Sequence, residues 1–452
     1  MYKLISKLVK EDNFLSLSGN LTIAVFGFTG FAILARSLST FDFAQWVLFI
    51  SGGSLVEMLR YGITNNGLVR FLSGATDDCK DQLIGSNVLI SLIATLVLVT
   101  LLLVVNLIFK SSIQESSYAL FFNWYPLLAV INLPLNNAIV VQQAKLNYGK
   151  ILIIRAINSV FFFAFLLINF FVFDLGIVSI VGFFIVFNLV TTIFCLFNSW
   201  DGFNLIRKST KTTIKTLLNF GKYSTFTLIG TYLLRNADIL IISISPFGSA
   251  AVALFSIPLK LTELQQIPLR SFVATAFPKM SKASLEGKIN DVQNLFNVYS
   301  GALTYLFFFG SLMTFVFAKQ FIILVSGYQY LDCNVTNIDI VAIVRILSIY
   351  GLLLPVDRMT GIGLDSINKP KINALKVMIM LVTNIIGDFI AIYIFKSIEM
   401  VAISTLIFTT VGILIGCYFL NQNFKILPFE IIKSTNYFYK SLWKKLSLLY
   451  SN

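Results

Sequence analysis

Apolar runs of helix-spanning length recur along the whole chain, separated by short polar stretches. Crossing about 30 Å of hydrocarbon takes about 20 apolar helical residues. Runs of that kind fall at 14–37, 41–69, 83–108, 117–142, 149–173 and 175–199, and again at 217–244, 247–276, 292–317, 337–362, 373–395 and 399–420. The pattern predicts an all-α polytopic membrane protein with about 12 transmembrane helices. A polar stretch near the middle, DGFNLIRKSTKTTIKT, divides the runs into six and six. It suggests an N-terminal six-helix lobe over 1–200, a linker over 201–222, a C-terminal six-helix lobe over 223–421 with its first span beginning near 217, and a basic tail over 422–452.

Basic residues orient this pattern. With the N-terminus inside, the outer segments hold only Arg36, Lys110, Lys319 and Lys396, and most other lysines and arginines fall in cytoplasmic segments. Such asymmetry is the positive-inside rule at work and puts both termini in the cytoplasm. The net charge of +13 is therefore a product of topology, and its scatter over separate short loops argues against nucleic acid as a partner. Composition agrees: 57 % of residues are hydrophobic and 12 % charged, against about 25 % charged in soluble domains. The opening MYKLISKLVKEDNFLSLSGN is basic but interrupted by Glu11 and Asp12, and reads as a retained amphipathic lead-in.

Several function classes lose support. Cys79, Cys195, Cys333 and Cys417 form no CxxC pair, and there is no histidine, so neither a disulfide framework nor a metal site is indicated. Carboxylates remain as the proton carriers near neutral pH. No P-loop pattern occurs, and no connection exceeds about 25 residues, which speaks against an ATPase and against a polymerase or glycosyltransferase with a large outer catalytic loop. The outer stretch near 318–336 offers one acid, Asp332, and a sequon-like Asn334-Val335-Thr336.

Charges inside the spans carry the functional signal, because a charge at mid-membrane costs about 2.5–3.5 kcal/mol even on the permissive insertion scale. Residues three or four apart share a helical face. The eighth span sets Lys260, Glu263 and Arg270 on one stripe; the second pairs Glu57 with Arg60, and the seventh Arg235 with Asp238. The tenth adds Arg345 and the Asp357-Arg358 pair, the eleventh Asn384 and Asp388. One reading is helix-locking ion pairs. The other is a polar central cavity in which Arg60, Arg235, Lys260, Arg270 and Arg358 meet an anionic cargo, while Glu57, Asp238, Glu263, Asp357 and Asp388 are candidate coupling carboxylates. Arginine suits the first task because its fork grips phosphate oxygens with two bonds and keeps its proton. In the fourth span, Asn123, Pro126, Asn132, Pro134, Asn136 and Asn137 suggest a kinked helix with polar groups turned inward. A weak internal repeat at an offset of 206 pairs Ser39 with Ser245, Phe41 with Phe247 and Glu57 with Glu263, as in transporters built from parallel repeats.

The segments STFDFAQWVLFISGGSLVEMLRYGITNNGLVRFL, NFGKYSTFTLIGTYLLRNADILIISISPFGSAAVALFSIPLKLTELQQIPLRSFVATAFPKMSK and LVSGYQYLDCNVTNIDIVAIVRILSIYGLLL together resemble the polysaccharide-transporter branch of the MOP flippase superfamily, notably the O-antigen (Wzx) flippases. The resemblance implies two six-helix lobes around a cavity open alternately to either side. It also implies an undecaprenyl-pyrophosphate-linked oligosaccharide as cargo, moved from the cytoplasmic to the periplasmic leaflet of the bacterial inner membrane during lipopolysaccharide or related glycan biosynthesis. Membrane lipids, a polysaccharide polymerase and chain-length machinery would be partners, a proton or sodium gradient would supply energy, and no bound cofactor is implied. Arg60 and Arg270 are similar in placement to cargo-contacting arginines of lipid II flippases, although the first span here lacks those flippases' charged pair. Competing readings are a MATE-like cation or drug antiporter, which would usually carry a carboxylate in the first span, a membrane polymerase or glycosyltransferase, and a structural scaffold.

Overall fold

The computed structural model describes residues 12–72, 75–331 and 338–426, with 431, 433 and 434. The lead-in at 1–11, the Asn334-Val335-Thr336 triplet with Asp332 and Cys333, and most of the tail lie outside the described residues. Twelve helices of 20 residues or more run in chain order among the described residues: α1 (Asp12–Ser37), α2 (Thr40–Tyr61), α3 (Asp77–Ile108), α4 (Ala119–Ala144), α5 (Tyr148–Ile168), α6 (Ile177–Phe197), α7 (Lys211–Ser243), α8 (Gly248–Leu285), α9 (Ile289–Val316), α10 (Ile340–Ser366), α11 (Pro370–Phe389) and α12 (Ile398–Asn421). Eight of them, α3–α6 and α9–α12, are long and apolar enough by composition to cross a membrane. Of the other four, α2, α7 and α8 carry the in-span charges Glu57, Arg60, Arg235, Asp238, Lys260, Glu263 and Arg270, which lower their hydropathy. The chain is a multi-pass membrane protein.

Local chemistry sets the helix ends. Ser39 accepts a hydrogen bond from the Asp42 N–H and starts α2, and Asp339 accepts from the Val341 and Ala342 N–H groups at the start of α10. Pro370 occupies the first turn of α11, where a missing N–H costs nothing. The apolar run expected to continue from 41 to 69 is broken instead. Gly62 follows α2, and a short helix, Asn65–Leu72, resumes after the turn. A β-carbon at Gly62 would lie 3.1 Å from the Thr225 Cα, so the turn needs glycine for close approach to α7. The stretch expected as a linker is helical from Lys211, and a 3₁₀ turn at Phe203–Lys208 packs on α3.

The chain divides into two compact units, 1–232 and 233–452, with the division inside α7. In the first, α4 packs against α2, α3 and α6, while α1 packs against α5. Pro126 and Pro134 lie inside α4. A proline at 134 disturbs the backbone bonds of the preceding turn, and side chains from neighbouring helices take up carbonyls there: Thr192 Oγ1 donates to Ile131 O at 2.8 Å, and Arg60 to Ala129 O at 2.8 Å. In the second unit α10 is central, packing against α8, α9 and α12, and α11 packs on α12. Its core gathers Leu269, Met280, Phe296, Leu303, Leu354, Leu364 and Leu420. Small residues let these helices close up, as is usual where both surroundings and core are apolar. A β-carbon at Gly387 of α11 would lie 2.2 Å from Ser404 Oγ on α12.

The two units share local features. The helices at equivalent places, α5 and α11, both end in a π turn, at Asn169–Phe173 and Ile390–Ile394, each followed shortly by a residue with positive φ, Asp174 or Lys396.

Candidate functional site

In the first unit the α2 charges are built into the packing. Arg60 is 0 % exposed, and its guanidinium donates to Glu57 Oε1 at 2.8 Å, Thr95 Oγ1 at 3.0 Å, Tyr61 OH at 3.2 Å and Ala129 O at 2.8 Å. Glu57 Oε1 also accepts from Tyr125 OH at 2.9 Å, and Oε2 accepts from Asn136 Nδ2 at 3.1 Å. Two glycines make this possible. β-Carbons at Gly52 and Gly53 would lie 3.0 Å from the Phe121 ring and 2.7 Å from the Tyr125 ring, so their absence lets α4 approach and sets Tyr125 over Glu57. Asn87, Ser91 and Asn137 form a second buried amide–hydroxyl network between α3 and α4.

Arg60, expected at the cargo cavity, is enclosed in this structure: four of its five N–H groups donate to α2, α3 and α4, and none of its surface is exposed. Sequence spacing could find the Glu57–Arg60 pair but could not show that Thr95 and Ala129 complete it. Glu57, with both oxygens engaged, belongs to the same lock.

The second unit is different. Lys260 Nζ lies 2.7 Å from Glu263 Oε2, and Arg235 approaches Glu263 Oε1 at a longer 3.6 Å. These groups are partly accessible, with side-chain exposures of 27 % for Lys260, 36 % for Arg235 and 42 % for Glu263. Arg270 and Arg358 are exposed, and neither forms a hydrogen bond or ion pair among the described residues. Arg235 and Arg358 line one cavity, and Arg270 lies within electrostatic range of both and of Glu263. Three guanidiniums from α7, α8 and α10 thus crowd one face of this unit. Cations accessible within a span cannot face hydrocarbon cheaply, so this face is wet.

Arg235 and Asp238 do not share a face as expected. Asp238 points the other way and is 4 % exposed; its Oδ1 accepts from Asn384 Nδ2 at 2.8 Å and its Oδ2 from Thr405 Oγ1 at 3.1 Å. Asn384 also donates to Asp388 Oδ2 at 3.2 Å. Asp388 Oδ1 and Asn384 Oδ1 are buried without a partner among the described residues. One amide thus joins two buried carboxyls, Asp238 and Asp388.

A further buried pair was not legible from the sequence. Lys376 reads as part of the basic cytoplasmic flank of the eleventh span, yet it is 2 % exposed. Its ammonium lies 2.7 Å from Asp357 Oδ1 and donates to Asp357 O and Thr360 Oγ1, each at 2.9 Å. Starting α11 at Pro370 places Lys376 in its second turn, facing α10. Arg345 lies over the Phe315 ring, 5.7 Å from its centroid.

A family model described as "Polysaccharide biosynthesis protein" matches residues 9–284, more than half of the chain. The chain belongs to the polysaccharide biosynthesis protein family. No curated protein matches it in sequence. Among solved structures, this family member is similar to an inward-facing multidrug resistance MATE transporter of the MOP superfamily, with a TM-score of 0.71 at 15 % identity over 89 % of this chain and 95 % of that one. It is also similar to the lipid II flippase MurJ in an inward closed conformation, with a TM-score of 0.68 at 13 % identity over 93 % and 89 %. A MOP superfamily transporter from Pyrococcus furiosus, described as having a binding pocket of reversed polarity, gives a TM-score of 0.59 at 16 % identity over 93 % and 96 %. At these identities the likenesses show the fold alone. The polysaccharide biosynthesis family member thus has the fold of MOP-superfamily transporters.

Proposed function

We propose that the protein is a flippase for undecaprenyl-pyrophosphate-linked oligosaccharide, an O-antigen or similar repeat unit, working by alternating access in the bacterial inner membrane with both termini cytoplasmic. The observation that carries this reading is that Arg235 and Arg358 line one cavity with the exposed Arg270 near them, and that Arg270 and Arg358 lack any partner among the described residues. Like charges held together at a wet face within a membrane span gain most from a multivalent anion, and arginine forks match the oxygens of a pyrophosphate. Lys260 and Glu263 tune the same face, Lys260 by offsetting the acid that would otherwise compete for Arg235. Lipid tails can remain in the bilayer while the arginines replace water lost from the phosphates.

Coupling falls to Asp238 and Asp388 in this scheme. The unpartnered Asp388 Oδ1 and Asn384 Oδ1, beside Asp238 and Thr405, offer a place for a proton or a sodium ion that would relieve the buried negative charge. Glu57 and Asp357, each held by a dedicated buried base, serve as helix locks. A cation or drug exporter would have to carry its positive cargo past the same arginines, which disfavours that alternative.

The test is surface glycan and lipid-linked repeat units measured in cells lacking the protein and complemented with wild type, Arg270→Gln or Arg358→Gln. The reading expects loss of surface glycan with accumulation of intermediates, restored by wild type and not by either variant. Unchanged glycan in the null strain would refute the cargo, and full rescue by both variants would refute the arginine site.

A further inference from the structure

Behind the arginine face, inside the second unit, lies a cavity of about 190 Å³ walled by α7, α8, α10, α11 and α12. It shares Arg235 and Arg358 with that face and extends to Asp365 and Asn373, with Leu354 and Met380 among its apolar sides. We infer that this cavity is a subsite for one neutral sugar ring attached directly to the phosphate held by the arginines. The inference rests on the phosphate reading above and adds the class of group that sits next to the phosphate.

The cavity is cationic at one end only. Lys376 also lines it, but its ammonium donates to Asp357 O and Thr360 Oγ1 and pairs with the Asp357 carboxylate, which it neutralises. What remains is a cationic end, Arg235 and Arg358, and an acceptor-rich end at the junction of α10 and α11. There Asn373 Nδ2 donates to Asp365 Oδ2 at 2.9 Å, which leaves the second Asp365 oxygen and the Asn373 carbonyl as acceptors. Gly361 keeps this end open and in place, because a β-carbon there would lie 3.1 Å from Asn373 Oδ1. An anion would be repelled by Asp365; hydroxyl or amide N–H groups would be welcomed.

Size and walls narrow the choice. At about 30 Å³ per water the cavity holds about six waters, the room of a single ring with its substituents rather than of a chain. Its mixed lining, aliphatic and aromatic side chains such as Leu354 and Phe408 between polar ends, suits a ring with C–H faces and hydroxyl edges. A ligand with phosphate at one end and hydroxyl donors at the other matches that polarity; a free oligosaccharide or a lipid tail does not.

The test uses full-length protein in nanodiscs, titrated with inorganic phosphate, a hexose 1-phosphate and an N-acetylhexosamine 1-phosphate. Wild type is compared with Asn373→Ala, Asp365→Asn and Arg358→Gln. Wild type is expected to bind at least one sugar phosphate about tenfold more tightly than phosphate, the yield of one or two well-made hydrogen bonds. Asn373→Ala and Asp365→Asn should erase that margin while phosphate binding, which also reports folding, stays as in wild type; Arg358→Gln should weaken both. Equal binding of phosphate and sugar phosphates by wild type, or a margin retained in both pocket variants, would overturn the subsite and leave the phosphate reading standing. A margin that disappears in Asn373→Ala while Arg358→Gln leaves phosphate binding untouched would keep the subsite and overturn the arginine assignment. Binding of none of the probes would overturn both.

Discussion

Replacing Arg60 with methionine should separate a structural arginine from the cargo-facing ones. The change removes four hydrogen bonds at once, to Glu57, Thr95, Tyr61 and Ala129, and leaves the Glu57 carboxylate with only Tyr125 and Asn136. Removing one partner of a buried ion pair typically costs about 3–5 kcal/mol. Glu57 keeps 24 % of its side chain accessible, so water can reach it, which places the pair's share near the lower limit of about 3 kcal/mol. The three other bonds add about 0.6 kcal/mol each by the average for membrane helices, for a total of about 5 kcal/mol. Arg270→Met and Arg358→Met break no protein contact and relieve repulsion, so their stability should stay within about 0.5 kcal/mol of wild type. The assay is equilibrium unfolding in mixed micelles, followed by tryptophan fluorescence. Adding Glu57→Gln to Arg60→Met should recover about half of the loss, because the stranded charge is gone. A loss below about 1 kcal/mol for Arg60→Met, or an equal loss for Arg270→Met, would refute the assignment of lock and site.

Other perturbations follow from the same geometry. Gly53→Ala drives a methyl to 2.7 Å from the Tyr125 ring and should cost about 1–3 kcal/mol in the same unfolding assay, whereas Gly182→Ala, with nothing within 4 Å, should be silent. Lys376→Met strands Asp357 in the second unit and should lower stability by about 3 kcal/mol, with most of that restored by adding Asp357→Asn. Asp388→Asn should leave folding and cargo binding intact but remove the dependence of accumulation on an imposed proton or sodium gradient in vesicles; retained dependence would move coupling elsewhere.

How far the sequence could be read differs between fold and site. Apolar runs located all twelve long helices, and where the ends shifted the causes are local: Asp77 and Asp78 in the first turn carry α3 back from 83, and polar Lys279 and Lys282 lie inside α8, which continues to Leu285. Identity of the charged residues was equally legible, because hydrocarbon makes any ionisable residue conspicuous. Their partners were not. Spacing of three placed Arg235 beside Asp238, but such residues differ by about 60° around the helix, enough for one to meet Glu263 and the other Asn384 and Thr405. Arg60 looked like a cargo contact because nothing in a single sequence shows that Thr95 and Ala129 surround it. Lys376 looked like a flank lysine because its burial depends on which side of α11 meets α10. In each case the missing knowledge was the identity of the neighbouring helix.

The most direct test of the central claim is translocation itself. Protein reconstituted in liposomes would be supplied with a fluorescent, short-chain polyprenyl-pyrophosphate oligosaccharide in the inner leaflet, and arrival in the outer leaflet followed by quencher accessibility. The account predicts wild-type transfer that falls at least tenfold in Arg270→Gln/Arg358→Gln, while Lys319→Gln, in the short helix Ala318–Ser326, matches wild type. Transfer by the double arginine variant at the wild-type rate, or none by wild type under any gradient, would contradict it.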